Sequence, residues 1–197
     1  MATNVTNTTV EGYATTVPLT FGHLLSKFNV KIRQDFDADP DFNYYVTKVT
    51  VTGVKGNGAC VYLPYGQQIG LWWDYENSTQ IILEKEYSEP RILRNAGAAD
   101  PTITLSVWGS GLMLIPQEIA ANAVEVVVDY IYDTNVDTDY TDGVAKQAKA
   151  VIPVSQWESG KSYSYSMALS NVTLISIDKP TIEPWGAPQT GGTIIIK

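Results

Sequence analysis

The chain has 197 residues and a formal charge of −8, from 13 Lys plus Arg against 21 Asp plus Glu. That balance argues against a nucleic-acid partner, which needs clustered cations, and against a hold on anionic lipid. No apolar run approaches the ~20 residues of a membrane helix, and a single Cys60 and a single His23 exclude an internal disulfide and any metal site built on several cysteines or histidines. Hydrophobic residues at 44% suffice for a packed core, in one large domain or two small ones. Charged residues at 17% fall below the usual quarter, so Thr, Ser, Asn and Tyr must supply the polar surface. Such residues favour strands. Residues 1–10 lack a basic region followed by an apolar one and do not read as a signal peptide. Either the protein stays inside its cell or its export signal has been removed.

Helical periodicity is nearly absent, and period-two alternation recurs along the chain. The Thr/Asn-rich residues 1–16 read as a tail or detachable strand, and residues 17–197 as one domain. Val17, Leu19, Phe21 and His23 alternate, then Phe28, Val30 and Ile32 alternate with the opposite parity, which predicts a bulge or kink between Leu24 and Lys27. Strands are predicted over 46–52, 60–63, 80–83, 102–108 and 112–115, with the charged Glu84-Lys85-Glu86 flanking the third. A single helical turn or two fits only near Gln117 to Asn122. Further strands are predicted over 123–132, 151–154, 162–169, 172–177 and 193–197. About ten short strands separated by Gly, Pro, Asn and Asp turns predict an all-β, antiparallel sandwich.

Four segments in order carry a family likeness. They are Val17-Pro-Leu-Thr-Phe-Gly-His-Leu-Leu-Ser-Lys-Phe28, Leu112-Met-Leu-Ile-Pro-Gln117, Trp157-Glu-Ser-Gly-Lys-Ser-Tyr-Ser-Tyr-Ser-Met-Ala-Leu169, and Pro184-Trp185 followed by Gly191-Gly192 and an Ile-rich end. Together they resemble the C-terminal domain of fimbrillin-like proteins of Bacteroidales. The resemblance implies a transthyretin-like β-sandwich on the cell surface, serving in or on a fimbria. Its implied partners are other fimbrial subunits, joined by donor-strand addition. No arginine precedes Arg33, so the arginine cleavage that matures some members has no matching residue here. The terminal Ile194, Ile195 and Ile196 do not alternate and suit a strand buried on both faces, either inserted in a neighbour or closing the chain's own sandwich.

Candidate chemistry is sparse. His23 sits in an alternating run and reads as a structural histidine, Cys60 as an inert thiol, and Gly56-Asn57-Gly58 as a turn. Asp133, Asn135, Asp137 and Asp139, with Asp142 beyond, place oxygen ligands at every second position, as calcium loops do. Thr138 and Val144 stand where an EF-hand needs Gly and Glu, and a solvated hairpin loop explains the same residues. Asp35, Asp37, Asp39 and Asp41 repeat the pattern more weakly. Trp72, Trp73, Asp74 and Tyr75 form the one aromatic group in polar surroundings; adjacent strand residues face opposite ways, so one tryptophan is free to stack on a sugar. Trp108, Trp157 and Trp185 read as core or edge plugs, Glu84 and Glu86 as solvated. The Asn-x-Thr sequences at Asn4, Asn7, Asn77 and Asn171 follow from Thr-rich composition.

The sequence therefore predicts a non-enzymatic fimbrial or surface-structure subunit that needs no cofactor. Two rivals on the same fold are a glycan- or host-binding adhesin module and a phage structural protein.

Overall fold

The computed structural model describes residues 20–21, 23–35, 42–62, 71–74, 78–94, 103–134, 140–170, 177–185 and 189–190; for 20–21, 59–62, 71–74 and 189–190 the description is of the backbone. Every regular element among them is a strand. In chain order these are β1 (Thr20–Phe21), β2 (Ser26–Gln34), β3 (Asn43–Lys55), β4 (Ala59–Tyr62), β5 (Leu71–Asp74), β6 (Gln80–Ile92), β7 (Leu105–Ser106), β8 (Leu112–Leu114), β9 (Gln117–Ile119), β10 (Glu125–Asp133), β11 (Val144–Val151), β12 (Ser155–Trp157), β13 (Lys161–Leu169), β14 (Thr181–Pro184) and β15 (Gln189–Thr190). The all-β sandwich predicted from the alternation is the fold, with several two- to four-residue strands added to the main ones.

Two sheets make the sandwich. One has the order β11-β10-β3-β6, the other β14-β13-β2-β7 with β8 also on β2. Their inner faces share one core that runs from Phe28, Val30 and Ile32 through Val49, Val51, Val126 and Val128 to Tyr163, Tyr165 and Met167. Alternation explains each contribution. In β2 the even-numbered residues from Ser26 to Gln34 are buried while Lys31 and Arg33 are exposed. In β13 Tyr163, Tyr165, Met167 and Leu169 face in and the residues between them face out. The β2–β13 pair is parallel, Lys27 opposite Ser162 through Gln34 opposite Leu169. All other strand pairs described are antiparallel. A parallel pair needs a long crossover, and here the intervening chain supplies all four strands of the opposite sheet.

β3 keeps its apolar residues inward by breaking register twice. Val46 pairs with Tyr130 and Lys48 with Asp129, so Thr47 is the extra residue of a bulge. Its hydroxyl donates to the Asp129 carbonyl at 2.9 Å. The bulge lets Val46 and Val49, three residues apart, both reach the core. A second shift between Val51 and Val54 does the same. It contains Gly53, at φ +86°, where a Cβ would run into the Ala123 carbonyl.

Several sequence expectations change. The parity switch between Phe21 and Phe28 is not a bulge within one strand. Phe21 belongs to β1, which pairs with β15, and Phe28 to β2 in another sheet, so no common register has to be kept. Gln117 to Ile119 is strand β9, paired with β12, rather than the start of a helical turn. The 102–108 run shortens to β7, followed by a turn over Val107–Ser110. β11, β12 and β14 appear where no full strand was predicted, and Glu84 to Glu86 continue β6. Residues 1–19, 171–176 and 191–197 lie outside the described residues, and with them the proposed leader strand, most of the 172–177 run, the sequences at Asn4, Asn7 and Asn171, and Ile194, Ile195 and Ile196.

Candidate functional site

The segments that carry the family likeness build structure. Trp157 is fully buried between the sheets, with ring centroids 5.0 Å from Phe28 and 6.2 Å from Tyr163. Its Nε1–H donates to the Tyr165 hydroxyl at 2.8 Å, and Ser155 Oγ lies 2.9 Å from the same oxygen. One strand turn away, the Tyr163 hydroxyl donates to the Gln156 carbonyl at 2.8 Å and accepts the Glu158 N–H at 2.9 Å. The two tyrosines of β13 thus fasten β12 to the sheet edge with their polar tips, while their rings fill the core. Burial raises both hydroxyls above the ordinary tyrosine value; for Tyr165 the bonds from Ser155 and Trp157 offset part of the rise.

Gln117 explains the Pro-Gln pair. Its side chain is buried, its Oε1 accepts the Lys55 N–H at 2.9 Å, and its Nε2 donates to the carbonyls of Lys55 and Ile115 at 3.2 Å. The amide thus stands in for a strand partner at the end of β3. At the same end, Gly160 (φ +72°) donates to the Leu25 carbonyl and accepts the Trp185 N–H at 2.7 Å. Trp185 stacks on His23 with centroids 4.1 Å apart, and the Lys27 ammonium lies 5.8 Å from the indole centroid. His23 is exposed and outside any strand, not within an alternating one; its role is to cover Trp185. Trp108 packs on Phe28 at 5.7 Å. The predicted plugs therefore seal the core, its edge and one end of the sandwich.

Most of the predicted ligand residues lie outside the described residues or are described by their backbone alone. Trp72 and Trp73 lie in β5, in register with Val61 and Cys60 of β4; Tyr75 lies outside the described residues. Asp133 ends β10 and is buried, opposite Asn43, and Asp142 is in the turn before β11. Asn135, Asp137 and Asp139 lie outside the described residues, as do Asp37, Asp39, Asp41 and Asn77. Among the described residues no three His, Cys, Asp or Glu side chains gather as a metal site, and no helix is long and apolar enough to cross a membrane.

What sequence reasoning did not single out are the sheet edges. An edge strand offers unpaired N–H and C=O groups to another chain. β14 is four residues long and bracketed by Pro180 and Pro184. β6 is long but bulged twice against β3 and interrupted by Pro90. β11 carries neither guard. It pairs with β10 without a shift over eight residues, and among the described residues no strand pairs with its other side. Its inward residues are the small Ala148 and Ala150, and Val144 and Val151 are exposed at its ends. No apolar run betrays such a strand, because its inner face needs only alanines.

The family model described as fimbrillin-like matches residues 1–185. No curated protein matches the chain. Among solved structures, a fimbrial protein from Bacteroides vulgatus ATCC 8482 aligns with a TM-score of 0.52 at 16% identity, over 85% of this chain and 56% of that one. A proposed cell adhesion protein from Bacteroides ovatus ATCC 8483 aligns with a TM-score of 0.42 at 16% identity, over 83% of this chain and 46% of that one. The chain thus spans about half the length of the solved chains it resembles.

Proposed function

The chain belongs to the fimbrillin-like family, and on that premise we propose that it is a structural or accessory subunit of a bacterial cell-surface fimbria, joined to neighbouring subunits by strand addition. The domain proposed is the sandwich over residues 17–197, with residues 1–16 a tail or detachable strand. The observation that carries the reading is the pairing of a family match with the regular, eight-residue strand β11, which has no strand on its outer side among the described residues. Main-chain hydrogen bonds along such an edge give affinity, and pockets for alternate side chains give specificity. The non-alternating Ile194 to Ile196 is the donor proposed. The buried polar groups of the family segments hold strands together.

The test is the mass in solution of the full chain and of a version lacking residues 193–197. Ladders or filaments from the full chain, with a folded monomer from the truncation, support donor-strand assembly. A monomeric full chain whose truncation unfolds means that the last strand completes its own sheet.

The β4–β5 ribbon supports a second reading, an adhesin module. On this reading a sugar stacks on Trp72 or Trp73, with Asp74 and Tyr75 as its polar neighbours in sequence. Loss of neutral-glycan binding in Trp72→Ala or Trp73→Ala tests it.

A further inference from the structure

One face of the sandwich runs against the charge of the chain. Alternation in β2 puts Lys27, Lys31 and Arg33 on the outer face, opposite Phe28, Val30 and Ile32, with Asn29 of the same parity buried between them. The parallel register sets Ser162 beside Lys27, Ser164 beside Asn29, Ser166 beside Lys31 and Ala168 beside Arg33. On the other side of β2, Ser106 lies beside Lys31 and the exposed Met113 beside Lys27. The result is a row of three cations about 20 Å long over a bed of small, hydroxyl-bearing side chains. Asn29 is tied down in the middle, donating to Ser106 Oγ at 2.6 Å and to the Gly109 carbonyl at 3.3 Å. Among the described residues three acids border it: Asp35, just beyond Arg33 at the end of β2, Glu183 on β14, beside Ser162, and Asp178, whose N–H bonds the Ser166 carbonyl.

The other sheet treats its cations differently. Lys48 pairs with Glu84 at 2.8 Å and Lys149 with Glu125 at 3.7 Å, and Lys146 lies 4.0 Å over Tyr132. Lys85 and Arg91 lie 5.7 Å from the Tyr87 ring. Lys31 and Arg33 are exposed, and among the described residues neither has an ion pair or a ring contact. In a chain with a formal charge of −8, the described strand neighbours of Lys31 and Arg33 are Ser166, Ala168 and Ser106, none of them an acid, which gives this face a charge complementary to an anion. The Debye length of about 8 Å at physiological salt keeps the acids on the far sheet from cancelling it.

We propose that this face binds an extended anionic polysaccharide laid along β2. Its carboxylate or sulfate groups meet Lys27, Lys31 and Arg33, and its hydroxyls meet Ser162, Ser164 and Ser166. A protein partner fits less well. Protein interfaces centre on apolar and aromatic anchors with charge at the rim, whereas here the charge is central. Met113 is the exposed large apolar residue on the face, and the Trp185 ring is already held between His23 and Lys27. Single-stranded nucleic acid needs open aromatic platforms for its bases, and the face offers none. The inference rests on charge and register, so it stands apart from the fimbrial reading.

The experiment titrates the full chain with fluorescently labelled dextran sulfate, unmodified dextran and a single-stranded DNA of matched charge, at low and physiological salt. Dextran sulfate is expected to bind, more weakly as salt rises, and unmodified dextran not to. Lys31→Glu with Arg33→Glu is expected to weaken binding by about tenfold or more, while Lys149→Glu on the opposite sheet leaves it within about twofold. Thermal unfolding of each variant verifies that it is folded. Ser164→Val with Ser166→Val is expected to weaken dextran sulfate selectively over DNA, because it removes hydroxyl partners and no charge. No binding of dextran sulfate at low salt overturns the proposal. Equal loss in the Lys149 variant, or DNA bound as tightly as dextran sulfate, does the same. A dimer that dissociates in the Lys31/Arg33 variant marks the face as an interface between copies instead.

Discussion

The Trp157 indole N–H donates to the Tyr165 hydroxyl at 2.8 Å where both side chains are sealed from solvent. A buried donor left without an acceptor costs about 1–3 kcal/mol. Tyr165→Phe preserves the ring and its packing and removes that acceptor. The variant is expected to lose about 2 kcal/mol and to melt roughly 4–8 °C lower, as thermal unfolding by circular dichroism will show. Trp157→Phe in the Tyr165→Phe background tests the same bond, since removing both partners costs less than the sum of the single losses.

The tyrosine cluster also sets an alkaline limit. The hydroxyls of Tyr87, Tyr163 and Tyr165 are all raised above the ordinary value of 10.0, chiefly by burial. A group with a raised folded-state value contributes its full stability below the unfolded value and loses it as pH rises through the folded one. Stability is therefore expected to be insensitive to these groups at pH 7 and to fall above pH 10. Phenolate absorbance in an alkaline titration is expected to rise late, together with loss of the near-ultraviolet dichroism. Tyr165→Phe shifts the midpoint of that loss to higher pH relative to its own stability at pH 7.

Gln117 holds both polar groups of Lys55 with one side-chain amide. Gln117→Leu keeps most of the volume and abandons those groups in a buried place. A loss of about 2–4 kcal/mol is expected, read as a lower urea midpoint with the slope unchanged. Gln117→Glu is expected to be at least as damaging, because its carboxylate meets the carbonyls of Lys55 and Ile115 in place of an N–H donor.

Gly53 holds the second bulge of β3 at φ +86°. Gly53→Ala brings a Cβ against the Ala123 carbonyl, backbone that has little freedom to move, and adds left-handed strain. The variant is expected to lose about 2–3 kcal/mol or more. Gly109→Ala, with open space around its Cβ, shares only the positive φ and is expected to cost about 1 kcal/mol. Denaturant unfolding of the pair separates collision from strain.

β2, β10 and β13 were legible because each alternates over five or more residues with large apolar side chains on one face. β3 was legible as a strand but not in register, since Thr47 and Gly53 shift its parity and a bulge leaves little trace in residue type. β11 and β14 lacked an apolar face of useful size: one buries alanines, the other is exposed along its length. Gln117-Glu118-Ile119-Ala120-Ala121 has the helix-favouring composition that suggested a turn of helix. Tertiary pairing with β12 overrides it. The tryptophans were read correctly as plugs at Trp108, Trp157 and Trp185. His23 was misplaced because an alternating pattern carried on past the end of its strand.

The central proposal is that neighbouring chains add strands at a sheet edge, and β11, which carries Lys146 and Lys149 but neither a bulge nor a proline, is the long regular edge among the described residues. Amide hydrogen exchange, compared between the dilute full chain and the concentrated full chain under conditions where light scattering shows association, tests this directly. Strand addition predicts that amides within Val144 to Val151 gain protection on association while β10, already paired on both sides, changes little. Association with no new protection along β11 would contradict it.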